Sequence, residues 1–135
     1  MRIVWKDYPL PFHPNAMPSA LAALAAGEQG KYWEFHDKLF ANQQKQSKDD
    51  FLRYAKELNL DVTRFTGDLD AAKLKSRIAA DQAEAGQYGV SGTPAFFVNG
   101  RFLSGARPFE SFAELINAEL TRLGRPVPAA AHKPA

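Results

Sequence analysis

The stretch GVSGTPAFFVNGRFLSG, residues 89–105, decides how the end of this chain folds. At its centre stands Asn99-Gly100, a dipeptide favoured in two-residue type I′ turns because both central positions need positive φ. With Ala95 to Val98 before it and Phe102 to Ser104 after it, the dipeptide predicts a β-hairpin. Directly ahead lies Thr93-Pro94, where the proline has no amide hydrogen and biases the residue before it toward extended geometry. A lone Thr-Pro step says little. One that follows a helix and leads straight into a strand, an Asn-Gly turn and a last helix is far more specific.

Toward the C-terminus, Pro108 falls in the first turn of a helix reaching about Leu123, with Phe109, Phe112, Ala113, Ile116 and Leu120 on its buried face and Gly124 ending it. The tail RPVPAAAHKPA, residues 125–135, has little to pack and is expected to be disordered. Toward the N-terminus, a helix from about Ala71 to Tyr88 puts Leu74, Ile78, Ala85 and Tyr88 on one side, with Gly89 as its stop. Asp61 caps a short helix holding Val62, Phe65 and Leu69. Ser47, with Asp50 three residues on, caps another whose buried face is Phe51, Tyr54, Ala55 and Leu58. A helix from about Lys31 to Asn42 carries the stripe Tyr32, Phe35, Leu39 and Phe40. Before it, Pro18 to Ala26 is alanine-rich and helical, ended by Gly27. Ile3 to Tyr8 reads as a short strand stopped by Pro9 and Pro11.

The expected order is one strand, a helical block, a hairpin and a closing helix, which is an α/β layer with helices inserted between strands. Three strands make a thin sheet that needs or borrows another. A chain of 135 residues suits one domain. Its 45% apolar and 24% charged residues are those of a globular chain, and no apolar run approaches the roughly 20 residues that span a bilayer. A net charge of +2, with basic residues scattered among acids, argues against a nucleic-acid partner. The Met-Arg start runs straight into the strand-like stretch without a signal-peptide pattern.

Few residues qualify for chemistry. The chain has no cysteine, so disulfides, thiolate metal sites and a cysteine nucleophile are excluded. Of the three histidines, His13, His36 and His132, none has a second histidine three or four residues away, and no metal site is expected. His36 is expected to be partly buried and bonded to a backbone carbonyl. Glu34 and Asp37 read as a solvated face beside Lys31 and Lys38. The glycines fit neither a dinucleotide fingerprint nor a phosphate loop. Ser91, Ser104 and Ser111 lack a nucleophile elbow and an acid-histidine set.

Taken together, RIVWKDYPLPFHPNA, GEQGKYWEFHDKLF and the segment GVSGTPAFFVNGRFLSGARPFESF resemble the DsbA-like thiol:disulfide oxidoreductases, which are thioredoxin-fold proteins with a helical insertion. The resemblance runs from about Arg2 to Leu120. It implies an incomplete thioredoxin-like fold over residues 1–124, with an inserted helical block at about 16–88, a C-terminal β-hairpin and a final helix. It also implies that Pro94 is a cis proline and that Ser91, Gly92, Thr93 and Pro94 face the substrate, the backbone of Thr93 pairing with an extended peptide.

The family's first strand and its Cys-x-x-Cys helix would stand before Arg2, and neither is in this chain. The expectation is therefore a truncated oxidoreductase without catalytic residues, redox-inactive, and binding no cofactor. Its partners by resemblance are unfolded or cysteine-containing proteins. Loss of the intervening strand would leave two open edges, Ile3 to Tyr8 and Ala95 to Val98, and so implies a homodimer. Two other readings compete: a non-enzymatic peptide-binding or self-assembling module, and a fragment like the kappa glutathione transferases. The family is typically extracytoplasmic; the compartment of this chain is not legible.

Overall fold

Small side chains let helices approach closely, and the alanine-rich segment is the hub of the N-terminal half. The computed structural model describes residues 1–129. In it α1 (Ala16–Gly27) buries six consecutive residues, Leu21 to Ala26. Around it pack α2 (Tyr32–Ala41), α3 (Lys48–Glu57), α4 (Val62–Asp68) and α5 (Ala72–Gln87). A helix covered on all sides needs no polar stripe. At Gly27 an added Cβ would stand 3.3 Å from the Cβ of Tyr32, so glycine is what lets α2 turn back so closely.

The expected stripes supply the core. Phe35 lies with its ring centroid 6.3 Å from Phe51, 6.0 Å from Tyr54 and 5.5 Å from Phe65, joining α2 to α3 and α4. Leu39, Leu74 and Ile78 complete it. The two capped helices begin as expected. Ser47 and Asp50 form a reciprocal capping box, and the Asp61 carboxylate accepts from the Arg64 amide.

Three aromatic residues expected on buried faces are not there: Phe40, Tyr88 and Phe109 are 57%, 64% and 71% exposed. At about 100° per residue Phe40 falls on the flank of the Phe35–Leu39 stripe. Tyr88 lies past the last turn of α5, and Phe109 is the first residue of its helix.

Ile3 to Tyr8 is not a strand. β structure exists only as a ladder, and residues 2–6 make no main-chain hydrogen bond among the described residues. The first amide bonded is that of Asp7, which donates to the Asp81 carboxylate on α5 at 3.0 Å.

The chain divides into two compact units, Met1–Gly89 and Val90–Ala135. In the second, β1 (Ala95–Val98) and β2 (Arg101–Ser104) pair antiparallel, from Ala95 opposite Ser104 to Val98 opposite Arg101. Asn99 and Gly100 take φ of 48° and 83°, so the turn is the predicted one with positive φ at both positions. A two-residue turn must pair Val98 with Arg101, which is why β2 starts one residue before Phe102. α6 (Phe109–Arg122) packs on the hairpin through Phe112, whose ring meets Phe96 edge-on at 4.8 Å. Pro108 is the residue before the helix rather than part of its first turn, and Gly124 stops it with φ of 62°. Phe112, Ala113, Ile116 and Leu120 are half-buried; the buried residue of α6 is Glu119.

The molecule is thus mixed α/β, six helices and a two-stranded sheet among the described residues. Residues 125–129 carry no regular structure; the rest of the predicted tail, with His132, lies outside the described residues.

Candidate functional site

The four residues singled out from sequence, Ser91 to Pro94, form a continuous loop into β1. Ser91, Thr93 and Pro94 are exposed and Gly92 is half-buried. The Thr93-Pro94 peptide bond is cis. The Pro94 carbonyl accepts from the Gly105 amide at 2.9 Å, extending the hairpin ladder one step beyond Ser104.

That bond sets which way the backbone points. In an antiparallel pair the hydrogen-bonding groups of alternate residues face the partner and those between face away. With Pro94 facing β2, the backbone groups of Thr93 and Ala95 face the opposite edge, which no strand covers among the described residues. An open edge of this kind can take up an extended chain by main-chain hydrogen bonds.

The hairpin is held to α6 by a feature missing from the sequence reading. Glu119 accepts from the Arg122 guanidinium at 2.8 Å and from the Asn99 side chain at 3.3 Å, and pairs with Arg101 at 2.9 Å. The Arg122 hydrogen bond, with those of its other partners, holds its carboxyl below the usual glutamate range. The signal in the sequence was an acid between Ile116 and Leu120, inside an apolar stripe. Glu119→Ala is expected to lower the thermal midpoint and to speed hydrogen exchange at Asn99 and Gly100 while leaving α1 to α5 protected; nuclear magnetic resonance exchange rates check it.

In the first unit a second cluster joins the N-terminal segment to α2 and α5. The Trp5 ring stands edge-on to Trp33 at 6.3 Å and to His36 at 4.7 Å, and Phe40 lies 4.5 Å from His36. His36 does not bond a backbone carbonyl as expected. Its Nδ1 faces the Asp37 carboxylate at 3.0 Å, and its buried Nε2 has no hydrogen-bond partner. In mid-helix the nearby carbonyls are already committed to the helix ladder, and aromatic neighbours offer none.

Beside them Asp7 is buried, only 8% exposed, and accepts from the Trp5 indole at 3.3 Å. Lys6 reaches Asp81 at 3.2 Å and Glu84 at 2.7 Å. Burial pushes the Asp7 carboxyl above the ordinary range, opposed by the Trp5 hydrogen bond. A carboxyl raised on folding favours the folded contact while protonated, and that contribution disappears as pH rises through the raised value. Anchorage of residues 1–8 should therefore weaken on raising the pH out of the acid range. Trp5 fluorescence in a Trp33→Phe background checks it, and Asp7→Asn should flatten the curve.

Among the described residues no group of three or more histidine, cysteine, aspartate and glutamate side chains could hold a metal ion, and no helix is long and apolar enough to cross a membrane.

A helical block followed by an antiparallel hairpin with a helix packed on it agrees with a thioredoxin-like fold, the class that a structural neighbour supports. More narrowly, the chain belongs to the DSBA-like thioredoxin domain family, whose pattern it matches over residues 4–117. The structure is similar to a thioredoxin-like oxidoreductase from Silicibacter pomeroyi, with a TM-score of 0.78 and 30% identity over 87% of this chain and 68% of that one. Among curated proteins it is similar to Na(+)/H(+) antiporter NhaA 3 of Salinispora tropica, 44% identical over 86% of this chain and 18% of that protein. It is also similar to the NhaA antiporter of Herminiimonas arsenicoxydans, 38% identical over 81% of this chain and 18% of that one. The chain thus spans under a fifth of the length of these curated relatives.

Proposed function

We propose that this chain is a peptide-holding member of the DsbA-like family that performs no thiol–disulfide exchange of its own. The observation that carries the reading is a conjunction: the loop from Ser91 to Pro94 and the open edge of β1 are present, and the chain contains no cysteine. Exchange requires a thiolate that attacks a disulfide sulfur and is released again. Met1 and Met17 are thioethers and cannot do this. The expected results are insulin reduction and dithiol-peptide oxidation at the uncatalysed rates, with saturable binding of a fluorescent, unstructured peptide. Acceleration of either redox reaction, or no peptide binding, overturns the reading.

The same open backbone supports self-association. Residues 2–6, with Ile3 and Val4 exposed, and Thr93 and Ala95 at the start of the outer edge of β1 make no main-chain hydrogen bond to another strand among the described residues, and open edges join to one another. A homodimer is therefore expected in light scattering at micromolar concentration; a well-folded monomer there removes this part of the proposal.

The antiporter relatives favour a second reading, in which a domain of this type serves a Na(+)/H(+) antiporter as partner or appended module. The polypeptide held at β1 would then be a segment of the transporter. Exchange in vesicles containing such an antiporter, measured with and without the added chain, tests it; identical rates together with no co-purification defeat it.

A further inference from the structure

Beside α2 and α5 the first unit has a cavity of about 270 Å³ lined by Ile3 and Val4, by the aromatic residues Trp5, Tyr32 and Trp33, and by Asp7, Arg2 and Arg77. We propose that this cavity binds a small zwitterion, a methylated ammonium carrying a carboxylate. The site lies in the other compact unit from the hairpin and does not depend on the peptide-holding reading.

The walls decide the cationic end. The Trp33 ring stands at 89° to Trp5, 6.3 Å between centroids, and at 89° to Tyr32 at 5.2 Å, so three aromatic rings meet as two near-perpendicular corners. Ring faces attract a cation, and most of all one with little hydration to lose, which is why methylated ammonium groups are held in aromatic cages. Asp7 adds a formal charge. It is nine-tenths buried, its hydrogen bond comes from the neutral Trp5 indole, and burial is what raises its carboxyl pKa. A buried carboxylate with so little compensation is stabilised by a cation brought against it.

Arg77 does not already fill that role: among the described residues it forms no ion pair with Asp7, whose hydrogen bonds are to Trp5 and Asp81. Arg2 and Arg77 instead decide the other end. A simple ammonium would meet two guanidinium groups in the same cavity, whereas a ligand with its own carboxylate turns that repulsion into pairing. An anion alone would face Asp7 and the aromatic residues of the lining. Only a ligand of both signs suits all of the lining residues.

Isothermal titration calorimetry of the whole chain with glycine betaine, and separately with choline, tests the assignment. Saturable betaine binding is expected, with choline weaker because it lacks the carboxylate. Trp33→Ala, at a half-exposed position, should weaken betaine roughly tenfold or more. Trp33→Phe, which keeps a ring, should recover part of it, and this separates loss of the cage from loss of the fold. Arg77→Met should close the gap between betaine and choline. Absence of saturable heat with betaine, undiminished betaine binding by Trp33→Ala, or equal affinity for the two ligands in the wild-type chain would overturn the proposal.

Discussion

Phe35→Ala is expected to remove about 3–5 kcal/mol from the stability of the helical unit, the range for truncating a fully buried phenylalanine. The site leaves little room for a smaller loss. Phe35 has no exposed surface, and its ring meets Phe51, Tyr54 and Phe65 from two further helices. Those neighbours are themselves buried rings on capped helices, so closing the hole would require α3 or α4 to shift against its own cap. Domains of this size are stable by only about 5–15 kcal/mol, so the variant should unfold at much lower urea or populate the unfolded state without it. Phe35→Leu, which keeps most of the volume, should lose about 1.5 kcal/mol or less. Urea titrations followed by far-ultraviolet circular dichroism decide the matter. Equal losses for the two variants would mean that α2 does not depend on this ring for its packing.

The second large effect is functional. Ala95→Pro is expected to abolish the proposed capture of an extended peptide while leaving the hairpin intact. Ala95 is the first residue of β1, a position that tolerates proline, and its amide points away from β2 in the observed register. The substitution therefore removes a donor from the open edge and none from the ladder. A captured strand would lose that hydrogen bond and meet the pyrrolidine ring where its backbone must lie. Peptide anisotropy should show no saturable binding, and the Asn99 and Gly100 amide resonances should stay in place. A variant that binds as well as wild type would show that the peptide is held elsewhere than at this edge.

Much of this was legible in the sequence because it rests on local rules. Asn99-Gly100 demands positive φ at two adjacent positions, and few folded contexts other than a tight hairpin supply it. Ser47 with Asp50, and Asp61 ahead of Arg64, each satisfy amides within one turn. The spacings of Phe35 and Leu39, or of Leu74 and Ile78, mark a face whatever it packs against. The loop from Ser91 to Pro94 could be placed for the same reason, by its position ahead of that hairpin.

The errors have one physical origin. Strand propensity at Ile3 to Tyr8 is a preference of side chains, but a strand is a relation between two backbones, and the described residues include no partner for it. Phe40, Tyr88 and Phe109 are apolar by type, yet burial depends on where a neighbouring element ends.

The sequence by itself thus determined which segments are helical, where the turn lies and that the chain has no cysteine, since each is settled by residues a few positions apart or by composition. Only the tertiary structure decided that Glu119 is enclosed by Asn99, Arg101 and Arg122, that Asp7 is buried beside Trp5 with its amide on Asp81, and which edge of β1 stands open. These depend on groups brought together from distant positions or on the register of one backbone against another, and no local pattern encodes them.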